Sequence, residues 1–345
     1  MPSSAVPHPR PPFSSLPLDP TGPPGNAWGL YGTSDSLGAL NLLTPATVAA
    51  AATEIKTGER VSLDWPLNKP SYPSFDRNPF ESKIVNRSKG EQKRSVNDDV
   101  LHFNTQCSSQ WDGFRHYGYQ KAKKYYNGHT QKELENPGVI GIDAWVEKGG
   151  IVGRGILLDY VSFCEKHSLA LSAFTSTAIP LSHLCELIAE QNISFRAGDI
   201  LFLRSGFTTA YERLSIDEQK ALAERPSPDF IGLEATTGVL RWIWESGFAA
   251  VASDAPSFER APIAGPHTAK GGQWKGEAWE GEIVGGGLLH QWLLGGWGLP
   301  IGEMFDLEAL SKKCAELGRS SFFVSSVPLK VPGGVASPPN AVAIF

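Results

Sequence analysis

Four polar side chains recur at every second position within the segment 104–120, NTQCSSQWDGFRHYGYQ. They are Gln106, Ser108, Gln110 and Asp112, and a turn at Gly113 follows them. Residues two apart on an extended strand share one face, so these side chains are expected to line a wall at steps of about 7 Å. Amides, a hydroxyl and a carboxylate each need a partner when they are buried. The pattern therefore predicts a strand that presents polar atoms to a ligand.

Titratable residues at two distant places are the candidates for proton or metal chemistry. Asp112 and His116 lie in the first segment, although a turn-capping aspartate and a structural histidine are ordinary alternatives. His290 lies in the apolar stretch LLHQWLL, where an imidazole needs a polar partner. Glu303 follows the apolar LPIG, an unusual setting for a carboxylate. Each residue has a structural explanation alone, but two residues at each of two places favour one shared site.

Common catalytic motifs are absent from the chain. The sequence contains no G-x-S-x-G elbow, no Walker A loop, no H-E-x-x-H and no G-x-G-x-x-G that opens a helix. The glycines of GIVGRG at 150–155 have the wrong offsets for a dinucleotide fingerprint. Nucleotide binding is therefore excluded.

Composition and charge favour a globular enzyme that acts on small molecules. The net charge is −5 and the basic residues are scattered, so nucleic acid is excluded as a partner. No apolar run reaches transmembrane length, which excludes a membrane protein. The four cysteines form no CxxC pair, and free thiols in a reducing compartment predict a cytoplasmic protein. Frequent Gly, Pro and Trp favour a loop-rich fold.

Alternating helices and strands must position these residues, and they predict a single α/β domain. Residues 1–25 are expected to form a Pro-rich N-terminal arm, and residues 26–345 the domain. Helices are predicted at 44–58 with Thr44 as N-cap, at 180–192 with Ser182 as N-cap, and at 233–246, 288–294 and 306–317. Strands are predicted at 60–65, 100–111, 153–160, 198–207, 248–253 and 322–327. Residues 66–95, 117–145 and 255–282 are expected to be largely irregular.

The polar segment resembles the H-x-G-T-H-x-D-x-P-x-H motif of the cyclase and kynurenine formamidase-like metal-dependent hydrolases. Gln106 and Gln110 stand where that family has its first two histidines, while Asp112 and His116 match the aspartate and the last histidine. HQWLL followed by GLPIGE resembles the family's late histidine and glutamate. Similar blocks occur in the expected order from about residue 25 to 345. The SSQWDGFRH variant resembles a branch found mainly in fungi.

The resemblance implies the swivelling β/β/α fold, with a mixed sheet flanked by helices, and a metal site. Asp112, His290 and Glu303 would be metal ligands, and His116 the general acid/base. An amide oxygen is a poorer zinc ligand than an imidazole, so the two glutamines argue against a two-zinc centre. The expectation is one divalent metal (Mn, Mg or Zn) bound by Asp112, His290 and Glu303. Gln110 and Gln106 are further candidate ligands, and a metal-free site is the alternative.

Three functions are compatible with the sequence. The first is a metal-assisted hydrolase or lyase that acts on a small cyclic or acylated carbonyl compound, such as an amide, a lactone or a polyketide-like molecule. The second is a metal-free cyclase or dehydratase of secondary metabolism, and the third is a non-catalytic descendant that binds a small molecule. Family members imply a homodimer or larger oligomer, in which the arm could pack across a neighbour. The aromatic walls of the pocket would be Trp111, Tyr117, Tyr119 and Trp292.

Overall fold

The computed structural model describes residues 10–88, 95–226, 228–261 and 289–345. Its strands are β1 (Arg60–Ser62), β2 (Glu81–Asn86), β3 (Asn97–His102), β4 (Gln110–Asp112), β5 (Ile151–Asp159), β6 (Ala178–Ile179), β7 (Ile200–Arg204), β8 (Gly232–Leu233), β9 (Ala250–Ser253), β10 (Ile301–Glu303), β11 (Ser321–Ser326), β12 (Ala336–Ser337) and β13 (Ala341–Ile344). Its α-helices are α1 (Pro45–Ala51), α2 (Asp143–Glu147), α3 (Tyr160–His167), α4 (Leu181–Glu190), α5 (Phe207–Glu212), α6 (Ile216–Ala223), α7 (Thr237–Ser246) and α8 (Glu308–Leu317). A π-helix covers Gln291–Trp297.

A mixed sheet lies at the centre of the described residues and joins nine strands in the order β1-β13-β11-β5-β7-β9-β10-β4-β12. The middle strands β5, β7, β9 and β10 are parallel to one another. Parallel strands need cover on both faces, which explains why β7 and β9 are almost wholly buried. Helices flank the curled sheet, so the predicted single-domain α/β fold class is confirmed.

Helix ends follow their local sequence in some places and tertiary contacts in others. Thr44 caps α1 as predicted, because its hydroxyl accepts a hydrogen bond from the Thr47 amide at 3.1 Å. The predicted Ser182 cap of α4 is wrong. The Leu181 amide instead donates to Glu234 Oε1 at 3.0 Å, so a carboxylate from elsewhere in the chain satisfies that helix end.

The predicted polar strand 100–111 is wrong as one element. Strand β3 ends at His102, and residues 103–109 turn before the short strand β4 begins. Strand β3 belongs to a separate two-stranded ribbon with β2, which occupies part of the predicted irregular stretch 66–95. The alternation argument therefore holds only for Gln110 and Asp112, since Gln106 lies in the turn.

Residues 10–25 of the N-terminal arm pack against their own chain. Phe13 stacks on Trp292 with ring centroids 6.3 Å apart, and Arg10 donates to the carbonyl of Phe248 at 2.7 Å. The arm therefore lies on its own chain at these residues, and its packing across a neighbour stays a prediction. Residues 1–9 lie outside the described residues.

The last part of the chain also departs from expectation in one element. The stretch predicted as a helix at 288–294 becomes the π-helix, which begins immediately after His290. Most of the predicted irregular stretch 255–282 lies outside the described residues. The four cysteines are free thiols, as predicted. Within the described residues, no helix has the length and apolar composition needed to cross a bilayer.

Candidate active site

Strand pairing brings the two distant segments of the sequence together. Strands β4 and β10 are antiparallel neighbours, with Asp112 opposite Ile301 and Gln110 opposite Glu303. Residues directly opposite each other in a sheet share a face, so these polar side chains point the same way. His290, at the start of the π-helix, reaches the same place, and π-helical turns often occur at functional sites. Asp112, His290 and Glu303 each offer one ligand atom within 4.8 Å of the others, and all three are buried.

The spacing of these three groups fits a single divalent cation. His290 Nε2 lies 3.1 Å from Glu303 Oε1 and 3.7 Å from Asp112 Oδ2. Two ligand atoms that each bind one ion at about 2.1 Å are about 3.0–3.4 Å apart in octahedral or tetrahedral geometry. Asp112 Oδ2 is buried and has no hydrogen-bond partner among the described residues. The His290–Glu303 distance lies within this range and the His290–Asp112 distance slightly exceeds it, so the cluster is close to the spacing of a metal site and includes an unsatisfied oxygen.

The two glutamines have different roles. The Gln110 amide nitrogen donates to Glu303 Oε2 at 2.8 Å and to Gln106 Oε1 at 3.3 Å, whereas its own oxygen is buried without a partner in the described structure. The Gln106 amide nitrogen donates a short hydrogen bond to Asp112 Oδ1. Gln110 thus retains an oxygen for a metal or ligand, while Gln106 orients Asp112.

Glu259 is a residue of the site that the sequence did not reveal. Its side chain is fully buried, and its two oxygens lie 2.9 and 2.8 Å from His290 Nδ1. The backbone amide of His290 also donates to Glu259 Oε1 at 3.2 Å. A carboxylate that accepts the Nδ1 proton leaves the Nε2 lone pair facing the other ligands, as in many histidine metal sites. Glu259 therefore orients His290.

Burial and mutual charge shift the pKa values of the three candidate ligands. Burial opposes ionisation of Asp112, but His116 and His290 more than compensate, and the pKa of Asp112 falls below its ordinary value. Burial and the charge of Asp112 raise the pKa of Glu303 to about 7. Burial lowers the pKa of His290, but the charge of Glu259 and the hydrogen bonds to the three surrounding carboxyl groups together outweigh it, and the net pKa rises well above the ordinary value. Without a metal, His290 is thus favoured as an imidazolium beside an ionised Asp112, while Glu303 exchanges its proton near neutral pH.

His116 and Tyr117 lie at the same site and are partly exposed. The His116 ring centroid is 6.3 Å from that of His290, and the Tyr117 centroid is 5.8 Å from it. Burial lowers the pKa of His116, although the charge of Asp112 partly offsets this effect. A neutral imidazole next to the carboxylates is able to accept a proton. His116 therefore has a suitable position and charge state for a general base.

Three aromatic residues that the sequence suggested as pocket walls lie elsewhere. Trp111 points to the opposite face of β4, where its indole nitrogen donates to Ser326 Oγ at 2.9 Å. Tyr119 is buried and donates to the carbonyl of Pro24 at 3.0 Å, and Trp292 stacks against Phe13. These three side chains hold the core and the N-terminal segment. Among the suggested walls, Tyr117 is the one that the structure places beside His290.

Arg77 is a second residue that sequence reasoning missed. It lies in the stretch predicted to be an irregular surface excursion, yet its guanidinium donates to the carbonyl of Gln106 at 2.8 Å. Its positive charge lowers the pKa of both Glu303 and His116, so Arg77 interacts electrostatically with the site. The side chain is half-buried. The rim of a site rich in carboxylates therefore also carries one cation.

Comparison with known families identifies the class of this protein. The model of the family described as "Putative cyclase" matches residues 41–260, more than half of the chain. The chain therefore belongs to this cyclase family, as the motif resemblance predicted. None of the curated proteins matches it. The fungal branch suggested by the SSQWDGFRH segment stays a prediction.

Solved structures share the fold over nearly the whole chain. A crystal structure described as a novel cyclase is 29% identical with a TM-score of 0.76, and the match covers 93% of this chain and 99% of that one. Isatin hydrolase A from Ralstonia solanacearum is 14% identical with a TM-score of 0.56, over 87% of this chain and 97% of that one. Isatin hydrolase A from Labrenzia aggregata is 13% identical with a TM-score of 0.54, over 88% and 98% respectively. The isatin hydrolases are thus similar in fold.

Proposed function

We propose that this protein is a metal-assisted hydrolase that acts on a small cyclic or acylated carbonyl compound. The observation that supports this best is a pair of buried oxygens, Asp112 Oδ2 and Gln110 Oε1, that have no partner among the described residues and lie beside His290 and Glu303. A buried unsatisfied oxygen costs about 1–3 kcal/mol, and a bound cation would remove that cost. A ligand set of several oxygen donors and one imidazole suits Mn²⁺ or Mg²⁺ better than it suits Zn²⁺.

Each residue has a distinct task in this proposal. Asp112, His290 and Glu303 would hold the cation, with Gln110 assisting. The bound cation would polarise the carbonyl and lower the pKa of a water molecule. His116 accepts the proton from the attacking water and returns it to the leaving group. Tyr117 offers an aromatic wall beside His290 for a flat substrate.

Arg77 suits the product of such a reaction. Hydrolysis of an amide, an ester or a lactone produces a carboxylate, which would otherwise meet the acidic groups of the site. The Arg77 guanidinium donates to the carbonyl of Gln106 next to these groups and is partly exposed, so it offers a counter-charge to the new carboxylate. This favours a substrate whose cleaved bond lies between the metal ligands and Arg77.

Isatin is the first compound to test, because the isatin hydrolases share this fold. The protein would be purified without chelator, supplied with Mn²⁺, and assayed with isatin, a formylated aromatic amine and an aromatic lactone. We expect metal-dependent ring opening or deformylation of at least one of them, and its loss on addition of a chelator. Hydrolysis that persists after removal of all metal would overturn the metal-assisted mechanism and support a metal-free site, and ligand binding without turnover would support the non-catalytic descendant.

A further inference from the structure

The ribbon formed by β2 and β3 stands apart from the rest of the described structure. It pairs with no other strand there, and all but one of its twelve strand residues are exposed. An isolated two-stranded ribbon is at best marginally stable in water. Its apolar side chains are uncovered, with Ile84 75% and Val100 58% exposed. Uncovered strand edges that carry apolar residues are sites of association.

The backbone register shows which atoms face outward. The amide of Arg87 donates to the carbonyl of Val96 at 2.9 Å, which marks these opposed residues as a hydrogen-bonded pair of the ribbon. Such pairs alternate along an antiparallel ladder. The pairing of Ile84 with Asp99 is therefore one of the non-bonded pairs, in which both backbones point away from the ribbon. Along the free edge of β2, the outward backbone groups are those of Ser82, Ile84 and Asn86.

We propose that the free edge of β2 pairs with β2 of a second copy of this chain, around a two-fold axis at Ile84. A two-fold axis sets identical strands antiparallel. A two-fold axis centred on Ile84 pairs the outward backbone groups of one β2 strand with those of the other, so that Ser82 lies opposite Asn86 of the other copy. It also sets Glu81 opposite Arg87 of the other copy, so the guanidinium that already bonds to Asp98 of its own ribbon gains a second carboxylate. Two ribbons then form one four-stranded sheet in which the Ile84 side chains contact each other.

The free edge of β3 is a poorer candidate for the same pairing. Its outward backbone groups are those of Asn97, Asp99 and Leu101. A two-fold axis centred on Asp99 would set that carboxylate directly against its own copy, and like charges in directly opposite positions are destabilising. The charge pattern of the ribbon therefore selects β2 as the seam and leaves β3 outside.

Matched proline variants test the seam. Proline lacks an N–H but is tolerated where that group faces the free edge of a strand, so neither Ile84→Pro nor Asp99→Pro removes a bond within the ribbon. We expect light scattering to show that Ile84→Pro halves the mass of the native assembly, while Asp99→Pro leaves that mass unchanged. A native protein with the mass of one chain, 37.3 kDa, would overturn the proposal. An assembly that Ile84→Pro leaves intact would do the same.

A cross-link provides a second test that does not depend on the folding of a proline variant. Two residues in a hydrogen-bonded antiparallel pair have Cα atoms about 5.5 Å apart, so cysteines at position 84 of the two copies would lie within reach of a short bismaleimide cross-linker. The Ile84→Cys variant should therefore form a covalent dimer with that reagent. Val100→Cys is the control, because Val100 lies on β3 and away from the seam. Absence of the Ile84→Cys dimer, or equal cross-linking of both variants, would overturn the proposed register.

Discussion

Two single atoms support the proposal that the cluster at the end of β4 is a functional site. Most polar atoms there have partners: Gln106 binds Asp112, Gln110 binds Glu303, and Glu259 binds His290. The two that have none among the described residues are oxygens, and both belong to side chains of the same cluster. Oxygens that lack donors attract a cation, which is why the account centres on a metal.

Glu259→Gln tests whether this residue orients His290. A glutamine amide presents one oxygen and one NH₂ group, so it no longer holds the Nδ1 proton with a charged acceptor. We expect Mn²⁺ affinity, measured by calorimetry, to fall about 10–100-fold, as is typical when the partner of a metal-ligating histidine is removed. The exposed Glu245 on α7 provides the control, Glu245→Gln, which should bind Mn²⁺ like the native protein. Unchanged affinity in Glu259→Gln would contradict the assigned role.

His116→Ala separates proton transfer from metal binding. His116 is placed beside the proposed ligands without being one of them. We expect kcat for the compound that the native enzyme turns over to fall by about 10²–10⁴-fold. The melting temperature and the Mn²⁺ affinity should stay close to the native values. A purified variant with native kcat would reject His116 as the acid/base.

At the scale of elements, β10 approaches its neighbours so closely that only glycine fits at position 302. A Cβ atom there would lie 2.6 Å from the Phe305 ring, 2.7 Å from the Ala252 side chain and 2.9 Å from the Trp111 ring. Gly302 directly precedes Glu303, so the packing of this strand fixes the position of a candidate ligand. This close approach was not predictable from the sequence, because it depends on three separate elements.

Gly302→Ala should therefore affect stability and metal binding together. Overpacking of a buried position costs about 1–3 kcal/mol, and relief of the clash would displace β10 with Glu303. We expect both a lower free energy of unfolding and weaker Mn²⁺ binding, measured by denaturant titration and calorimetry. Gly138→Ala is the control, since the nearest atom there is 3.4 Å away. A Gly302→Ala variant with native stability would show that the strand has more room than the structure indicates.

Asp254, which follows β9, makes stability depend on pH. It accepts hydrogen bonds from the amides of Ser205 and Gly206, both at 2.7 Å, but burial outweighs these bonds and raises its pKa to about 6. The folded state therefore binds more protons than the unfolded state between about pH 4 and pH 6. Its contribution to stability is fully present below about pH 4 and is lost as the pH rises through 6.

The measurement compares native protein with Asp254→Asn, which has no proton to exchange. Across this pH range the difference in unfolding free energy between the two should shrink by up to about 3 kcal/mol as the pH rises. Chemical denaturation at several pH values gives that difference directly. A difference that grows with pH would mean that the hydrogen bonds outweigh burial and lower the pKa of Asp254.

At the scale of the whole molecule, the sequence predicted the layers better than the site. Buried strands such as β5 and β7 contain apolar runs next to glycines, so the local sequence pattern predicts their positions. The segments around Asp112 and Glu303 are recognisable as candidate site segments because their carboxylates interrupt apolar or patterned sequence. The structure brings the two segments together. Glu259 and Arg77 lie in stretches without a repeating pattern, and only tertiary folding places them at the site.

The polar strand shows the limit of such patterns. Its period of two was real in the sequence, but the chain turns between His102 and Gln110, so Gln106 reaches Asp112 from a loop. Alternation predicts a shared face only if the backbone stays extended, and local sequence did not reveal this turn. The exposed ribbon was also not predicted, because its apolar residues do not pack against the core.

A crystal structure of protein grown with Mn²⁺, with diffraction data recorded at the manganese absorption edge, would show whether a cation binds at the proposed site. We expect one anomalous peak between Asp112 Oδ2, His290 Nε2 and Glu303 Oε1, and its loss in a Glu303→Ala variant. Lys312→Ala, in the exposed part of α8, is the control and should retain the peak. An empty site at saturating Mn²⁺, or a peak bound by other residues, would contradict the account.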